Sequence, residues 1–132
     1  LFACLGDDDV ADCVGTIDAN IINILGLTIN SCNIYLGESN ISHMESSHPD
    51  DYKKYGKYIS DIINYPNYVG LNSKDNSIEY VKEFTENNHY VKVAVRVSGN
   101  GNYYARSIYV LNSERVKAFI EKNKLKPVDR TE

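Results

Sequence analysis

The spacing of apolar residues changes once along this chain, near Pro66, from a helical period to strict alternation. Before that point Ile17, Ile21, Ile22, Ile24 and Leu25 form a broad apolar stripe that predicts a helix, capped by Thr16 or Asp18 and stopped by Gly26. Ile34, Tyr35 and Leu36, bounded by Asn33 and Gly37, predict a short strand. A second helix is expected to begin at Ser39 or Asn40 and to carry Ile41, His43 and Met44. A longer one starts at Pro49, because proline suits the first helical position and Asp50 and Asp51 complement the positive helix start. Tyr52, Tyr55, Ile59, Ile62 and Ile63 then share one face until Asn64 and Pro66 end the run.

Beyond Pro66, Tyr68 to Leu71, Ser77 to Phe84, Tyr90 to Val97 and Tyr103 to Leu111 read as four strands. In the third, Val91, Val93, Val95 and Val97 point one way and Lys92, Ala94 and Arg96 the other. Ser98 to Asn102 is a hairpin turn, and a closing helix runs from Asn112 through Val116, Phe119 and Ile120 into a lysine-rich end. The layout is α+β, with N-terminal helices packed on a four-stranded antiparallel meander sheet and a C-terminal helix. Residues 1–15, acidic and without clean periodicity, read as a linker or the remnant of a preceding domain; residues 16–132 read as one domain.

A chain of 132 residues accommodates a single core. Its longest apolar run, Ile21 to Ile29, is broken by Asn23, Gly26 and Thr28, whereas a membrane helix needs about 20 apolar residues. No basic-then-apolar signal segment opens the sequence. The expectation is a soluble monomer or half of a small complex, without membrane contact. The first residue is Leu1 and the single methionine is Met44, which leads us to expect a trimmed fragment or the released C-terminal piece of a longer polypeptide.

The formal net charge of −4 argues against a broad nucleic-acid-binding surface, since phosphate contacts need Lys and Arg. It is unevenly placed. Residues 1–18 hold five aspartates and no basic residue, so the remainder sums to +1, and any RNA site must be a local patch. Cys4, Cys13 and Cys32 contain no CxxC pair, which disfavours a zinc site. Cys4 and Cys13 can be written as a disulfide or as two thiols, whereas Cys32 is expected to be a buried thiol.

The stretch from His48-Pro49-Asp50-Asp51-Tyr52-Lys53-Lys54-Tyr55 to Ile62-Ile63-Asn64-Tyr65-Pro66-Asn67-Tyr68-Val69-Gly70 carries a resemblance, as does Tyr104-Ala105-Arg106-Ser107-Ile108-Tyr109-Val110-Leu111. Together these motifs resemble the phage-associated branch of the barnase–EndoU–colicin–RelE-like nucleases, over roughly Ile34 to Leu125. The resemblance implies a barnase/EndoU/RelE-like fold and a metal-independent endoribonuclease toxin that needs no cofactor. It further implies tRNA or another structured RNA as substrate and a cognate immunity protein as neutralising partner. Such domains occur in prophages and at the C-terminal tips of effectors, including those of contact-dependent growth inhibition. That origin implies a secreted or cell-surface-delivered protein acting in the target-cell cytoplasm, with a host translation factor as a candidate further partner.

Metal-free RNA cleavage requires a base for the 2′-OH, an acid for the leaving 5′-oxygen and cations on the pentavalent phosphate. Imidazole suits proton transfer near neutral pH, and guanidinium suits bidentate phosphate contact. His43 is the first catalytic candidate and His48 the second, although helix capping would also account for His48; His89 reads as a loop residue. Arg106, followed by the small hydroxyl residue Ser107, is what the resemblance makes catalytic. An arginine in an otherwise apolar and aromatic strand also needs an anionic partner.

The hairpin register decides which residues join them. A two-residue turn sets Val95 opposite Arg106 and Lys92 opposite Tyr109; a three-residue loop sets Ala94 opposite Arg106 and brings Tyr104 onto the open face. Lys92 and Arg96 share that face in either register, and with Tyr109 they are the expected substrate contacts, against the alternative of a solvated strand face. Most of the eleven tyrosines are expected to be half-buried core. Lys117, Lys122, Lys124, Lys126 and Arg130 form a basic tail that would guide RNA or simply solvate a helix end. Two other classes stand beside the ribonuclease. One is a non-catalytic protein-binding module on the same fold. The other, a metal-dependent nuclease, is disfavoured because no acidic cluster with a histidine is placed at the strand ends.

Overall fold

The computed structural model describes residues 11–128. Strand β1 (Ala11–Ile17) opens the described chain, followed by α1 (Ala19–Leu25), β2 (Cys32–Gly37), α2 (Glu38–Ser47) and α3 (Pro49–Tyr55). A 3-10 turn (Gly56–Tyr58) leads to α4 (Ile59–Asn64), then β3 (Tyr68–Leu71), β4 (Ile78–Phe84), β5 (His89–Val97) and β6 (Tyr103–Leu111). Helix α5 (Ser113–Glu121) and the short β7 (Lys126–Pro127) close it.

Among the described residues the strands form one seven-stranded sheet in the order β1-β2-β6-β5-β4-β3-β7. This corrects the expected four-stranded sheet. The four strands after Pro66 lie side by side, but the β1–β2 hairpin extends them at one edge, with β2 parallel to β6, and β7 extends them at the other. The resulting architecture is mixed α+β. Residues Ala11 to Gly15, expected to be linker, belong instead to edge strand β1, while residues 1–10, with Cys4, lie outside the described part. Strand β1 is fastened from below: Ser60 Oγ and Asn64 Nδ2 both donate to the Val14 carbonyl, at 2.8 and 3.1 Å.

Helix ends follow their chemistry. Asp18 Oδ1 accepts from the Ile21 amide at 3.0 Å, and Gly26 leaves α1 at φ +66°, a left-handed conformation that glycine adopts without penalty. The single helix expected from Pro49 to Asn64 is three pieces. A side chain at Gly56 would collide with the Tyr52 ring, and the chain tightens there into a 3-10 turn before resuming as α4.

The two faces of the sheet differ. One is covered by the helices except at Val97, which is exposed at the strand end: Ile21, Met44, Tyr55, Ile59, Ile62 and Ile63 pack on Val91, Val93, Val95, Ala105, Ile108 and Tyr80. Among the described residues the opposite face is covered only at one end, where α5 lays Val116, Phe119 and Ile120 over Val81 and Leu111, with Leu125 closing the cluster. The fully buried Val116 and Leu125 each contribute about 1.5–3 kcal/mol, so α5 is anchored even though it covers only part of the face. No described helix covers the rest of that face.

Candidate active site on the open sheet face

Cross-strand register sorts the open face into rows. Arg96 lies opposite Tyr104, which pairs on its other side with Tyr35 of β2. The next row holds Ser107, Ala94 and Glu79; the next holds Tyr109, Lys92 and Val81. Between the first two rows the β5–β6 register shifts by one residue. Near the turn Val95 faces Ala105, and beyond the shift Ala94 faces Ser107, so Arg106 is the extra residue of a β-bulge. Both registers left open by the sequence therefore occur, one on each side of Arg106. The turn itself is a five-residue loop, with the Ser98 amide donating to the Asn102 carbonyl at 2.8 Å and Gly101 at φ +87°.

The bulge explains how an arginine sits in this strand. Ala105 and Ile108 keep their places in the core, while Arg106 and Ser107, both half-buried, lie between them. Arg106 Nη2 donates only a long bond, 3.4 Å, to the Val97 carbonyl, and its Nε is buried without a hydrogen-bond partner. Burial, and then the like charge of Arg96, push the guanidinium below the usual arginine range, partly opposed by Tyr104. Among the described residues no carboxylate lies at hydrogen-bond distance of Arg106, an arrangement suited to an incoming anion.

Its neighbour Arg96 is paired, Nη1 lying 3.2 Å from Asp75 Oδ2. The Asp75 carboxyl is held below its usual range, chiefly by hydrogen bonds from the Ser77 backbone and side chain, with a smaller push from Arg96. Both partners are well exposed, so this pair is weak and exchangeable.

Lys92 does not sit on a solvated strand face. It is 7% exposed, and its Nζ lies 3.1 Å from Glu79 Oε2 and 4.6 Å from the Tyr109 ring centroid. Asn72 Nδ2 donates to the same carboxylate oxygen at 3.2 Å. The His48 ring stacks on Tyr109, with centroids 5.0 Å apart and an interplanar angle of 22°. His48 reaches it because the α2–α3 corner docks against β6, where Asp51 Oδ2 accepts from the Val110 amide at 3.1 Å. Pro49 at the first position of α3 places the corner at His48.

The structure thus gathers His48, Tyr109, Lys92, Ser107, Arg106 and Arg96 on or beside one face. Tyr109 and Ser107 lie two positions apart along the strand, about 7 Å. His43 is not brought into this group: it is exposed on α2, its Nε2 3.4 Å from Ser47 Oγ one turn along. His89 lies elsewhere, at the start of β5, with Nδ1 2.7 Å from the Tyr55 hydroxyl. Glu79 and Tyr35 were not singled out from sequence. For Glu79 the available signal was its position opposite Ala94 and diagonal to Lys92, legible only once β4 is registered on β5. Among the described residues no group of three or more His, Cys, Asp or Glu side chains is placed to hold a metal ion, Cys13 and Cys32 are free thiols, and no helix is long and apolar enough to cross a membrane.

Comparison with known proteins gives one family. The family model described as phage-Barnase-EndoU-ColicinE5/D-RelE like nuclease3 matches residues 12–118, from β1 into α5. No curated protein and no solved structure matches the chain.

Proposed function

The chain belongs to the phage-Barnase-EndoU-ColicinE5/D-RelE like nuclease 3 family, and we propose that it is a metal-independent endoribonuclease whose active site is the open sheet face around Arg106. The observation that carries this reading is the Arg106 bulge, a half-buried guanidinium with an unpartnered Nε beside a second arginine. A scissile phosphate over the Ser107–Ala94 row would be held by Arg106, with Arg96 joining as it exchanges Asp75 for the substrate. The small Ala94 side chain leaves room for it. Arg106 stabilises the charge that builds on the phosphate as the 2′-oxygen attacks.

His48, rather than His43, is the proton-transfer group, since it alone of the two leans on the sheet through Tyr109. In this scheme the base accepts the 2′-OH proton, the 2′-oxygen bonds to phosphorus, and the bond to the 5′-oxygen breaks. The 5′-oxygen takes up a proton, leaving a 2′,3′-cyclic phosphate. Ser107 contributes a hydroxyl to the phosphate oxygens, while Lys92 and Tyr109 hold the ring stack and line the substrate path. The domain acts as a bacterial toxin on tRNA or another structured RNA in the target-cell cytoplasm, restrained by a cognate immunity protein that would cover this face. Incubating the purified chain with total bacterial RNA in EDTA tests the reading. Discrete cuts with cyclic-phosphate ends support it. Intact RNA, in buffer and in cell extract alike, favours a binding module on the same fold.

A further inference from the structure

Beyond the bulge, at the end of the open face away from His48, Tyr35 and Tyr104 continue the row of Arg96 and, unlike Arg96, have no part in the chemistry proposed above. Tyr35 and Tyr104 are register partners on the parallel pair β2 and β6, with ring centroids 6.1 Å apart and planes tilted by 48°. Both are half-buried, while their neighbours Ile34 and Ala105 point into the core, so the rings lie on the open side. Their hydroxyls are engaged from exposed positions: Asn100 Nδ2 lies 3.0 Å from the Tyr104 oxygen and Asn33 Nδ2 lies 3.5 Å from the Tyr35 oxygen. These bonds engage the rings at their rims rather than at their faces. Tyr104 is also close enough to Arg106 to influence its charge, and it pairs across the ladder with Arg96.

Two adjacent aromatic rings next to two guanidiniums are the elements of a single-strand binding surface. Every base presents a π-face, so stacking tolerates any sequence but requires the base to be free of a complementary strand. Resting on the ribonuclease reading of the same face, we propose that Tyr35 and Tyr104 form a base-stacking platform for a nucleotide next to the scissile phosphate. The substrate is then an unpaired stretch, a loop or a single strand, and a continuous duplex is excluded. With the phosphate at Arg106, a flanking base reaches Tyr104 in the adjoining row and Tyr35 beyond it.

The test is fluorescence anisotropy with a short labelled 2′-O-methyl oligonucleotide, which lacks the attacking hydroxyl and cannot be cut. It is offered single-stranded, annealed to its complement, and single-stranded with abasic positions. The intact single strand should bind at least tenfold tighter than the other two probes. Tyr35→Ala and Tyr104→Ala should each weaken it about tenfold, while Tyr35→Phe and Tyr104→Phe retain affinity because the ring remains. If Arg106→Ala weakens binding but the Tyr→Ala variants and the abasic probe match their references, the platform is wrong and the ribonuclease reading stands. If the wild-type chain binds none of the probes, both are overturned. The abasic comparison uses unmodified protein, so it remains decisive even if an alanine variant misfolds.

Discussion

Replacing Glu79 by Gln keeps the shape of the β4 side chain and removes the charge that balances Lys92. At the 3.1 Å separation, with an effective dielectric of about 20, the direct attraction is about 5 kcal/mol. Much of it is spent on keeping the two groups, 9% and 15% exposed, away from water. What survives is the asymmetry. Losing one partner leaves an ammonium with 7% residue exposure and no anion, and truncation of such pairs costs about 3–5 kcal/mol. The Gln amide oxygen still accepts a bond and the Tyr109 face still attracts the cation, so Glu79→Gln should fall below that range, at about 2–3 kcal/mol. Equilibrium denaturation in urea measures it, with the midpoint shifting at unchanged slope. Lys92→Met combined with Glu79→Leu should recover most of the loss, because no buried charge remains. A Glu79→Gln loss below about 0.5 kcal/mol, the range of an ordinary surface change, would show that Lys92 reaches solvent and that this end of the face is not preorganised.

Two further perturbations test other parts of the structure. The depressed Asp75 carboxyl contributes stability in full above its ordinary unfolded range, and that contribution is lost as pH falls through the lowered folded value. The acid limb of a pH–stability curve should therefore be shallower in Asp75→Asn; superimposable limbs would remove the Ser77 hydrogen bonds as its cause. Gly70→Ala places a methyl against the Lys124 carbonyl where the chain after α5 crosses β3, so we expect a loss of at least about 2 kcal/mol and weaker docking of α5, read by thermal unfolding. Unchanged stability would mean that the crossing is loose.

The elements after Pro66 were legible because alternation survives wherever one sheet face is buried, as in Val91, Val93 and Val95. Strand β1 was not, since an edge strand buries little and only Ile17 at its end is in the core. The two hairpin registers could not be separated because both are present, and the switch at Arg106 leaves no mark in composition. His48 and His43 looked alike in sequence because each sits in a helical context. The difference between them is tertiary: the corner at Pro49 is pinned to β6 through Asp51, which turns His48 onto Tyr109 while His43 stays on the outer side of α2. Arg106 was singled out by the resemblance of Arg106-Ser107 to the family motif, with the added argument that a cation among apolar neighbours needs an anion. Among the described residues no anionic group is bonded to it, which is what makes the face a phosphate site in the reading advanced above.

The measurement that bears most directly on that reading is single-turnover cleavage of RNA in EDTA by wild type, Arg106→Ala, His48→Ala and His43→Ala, each shown to be folded by circular dichroism. Arg106→Ala should lose about 10²–10³-fold in rate and His48→Ala about 10²–10⁴-fold, while His43→Ala stays within a few-fold of wild type. Cleavage that survives in Arg106→Ala and His48→Ala, or that is lost in His43→Ala alone, would place the chemistry away from the open sheet face.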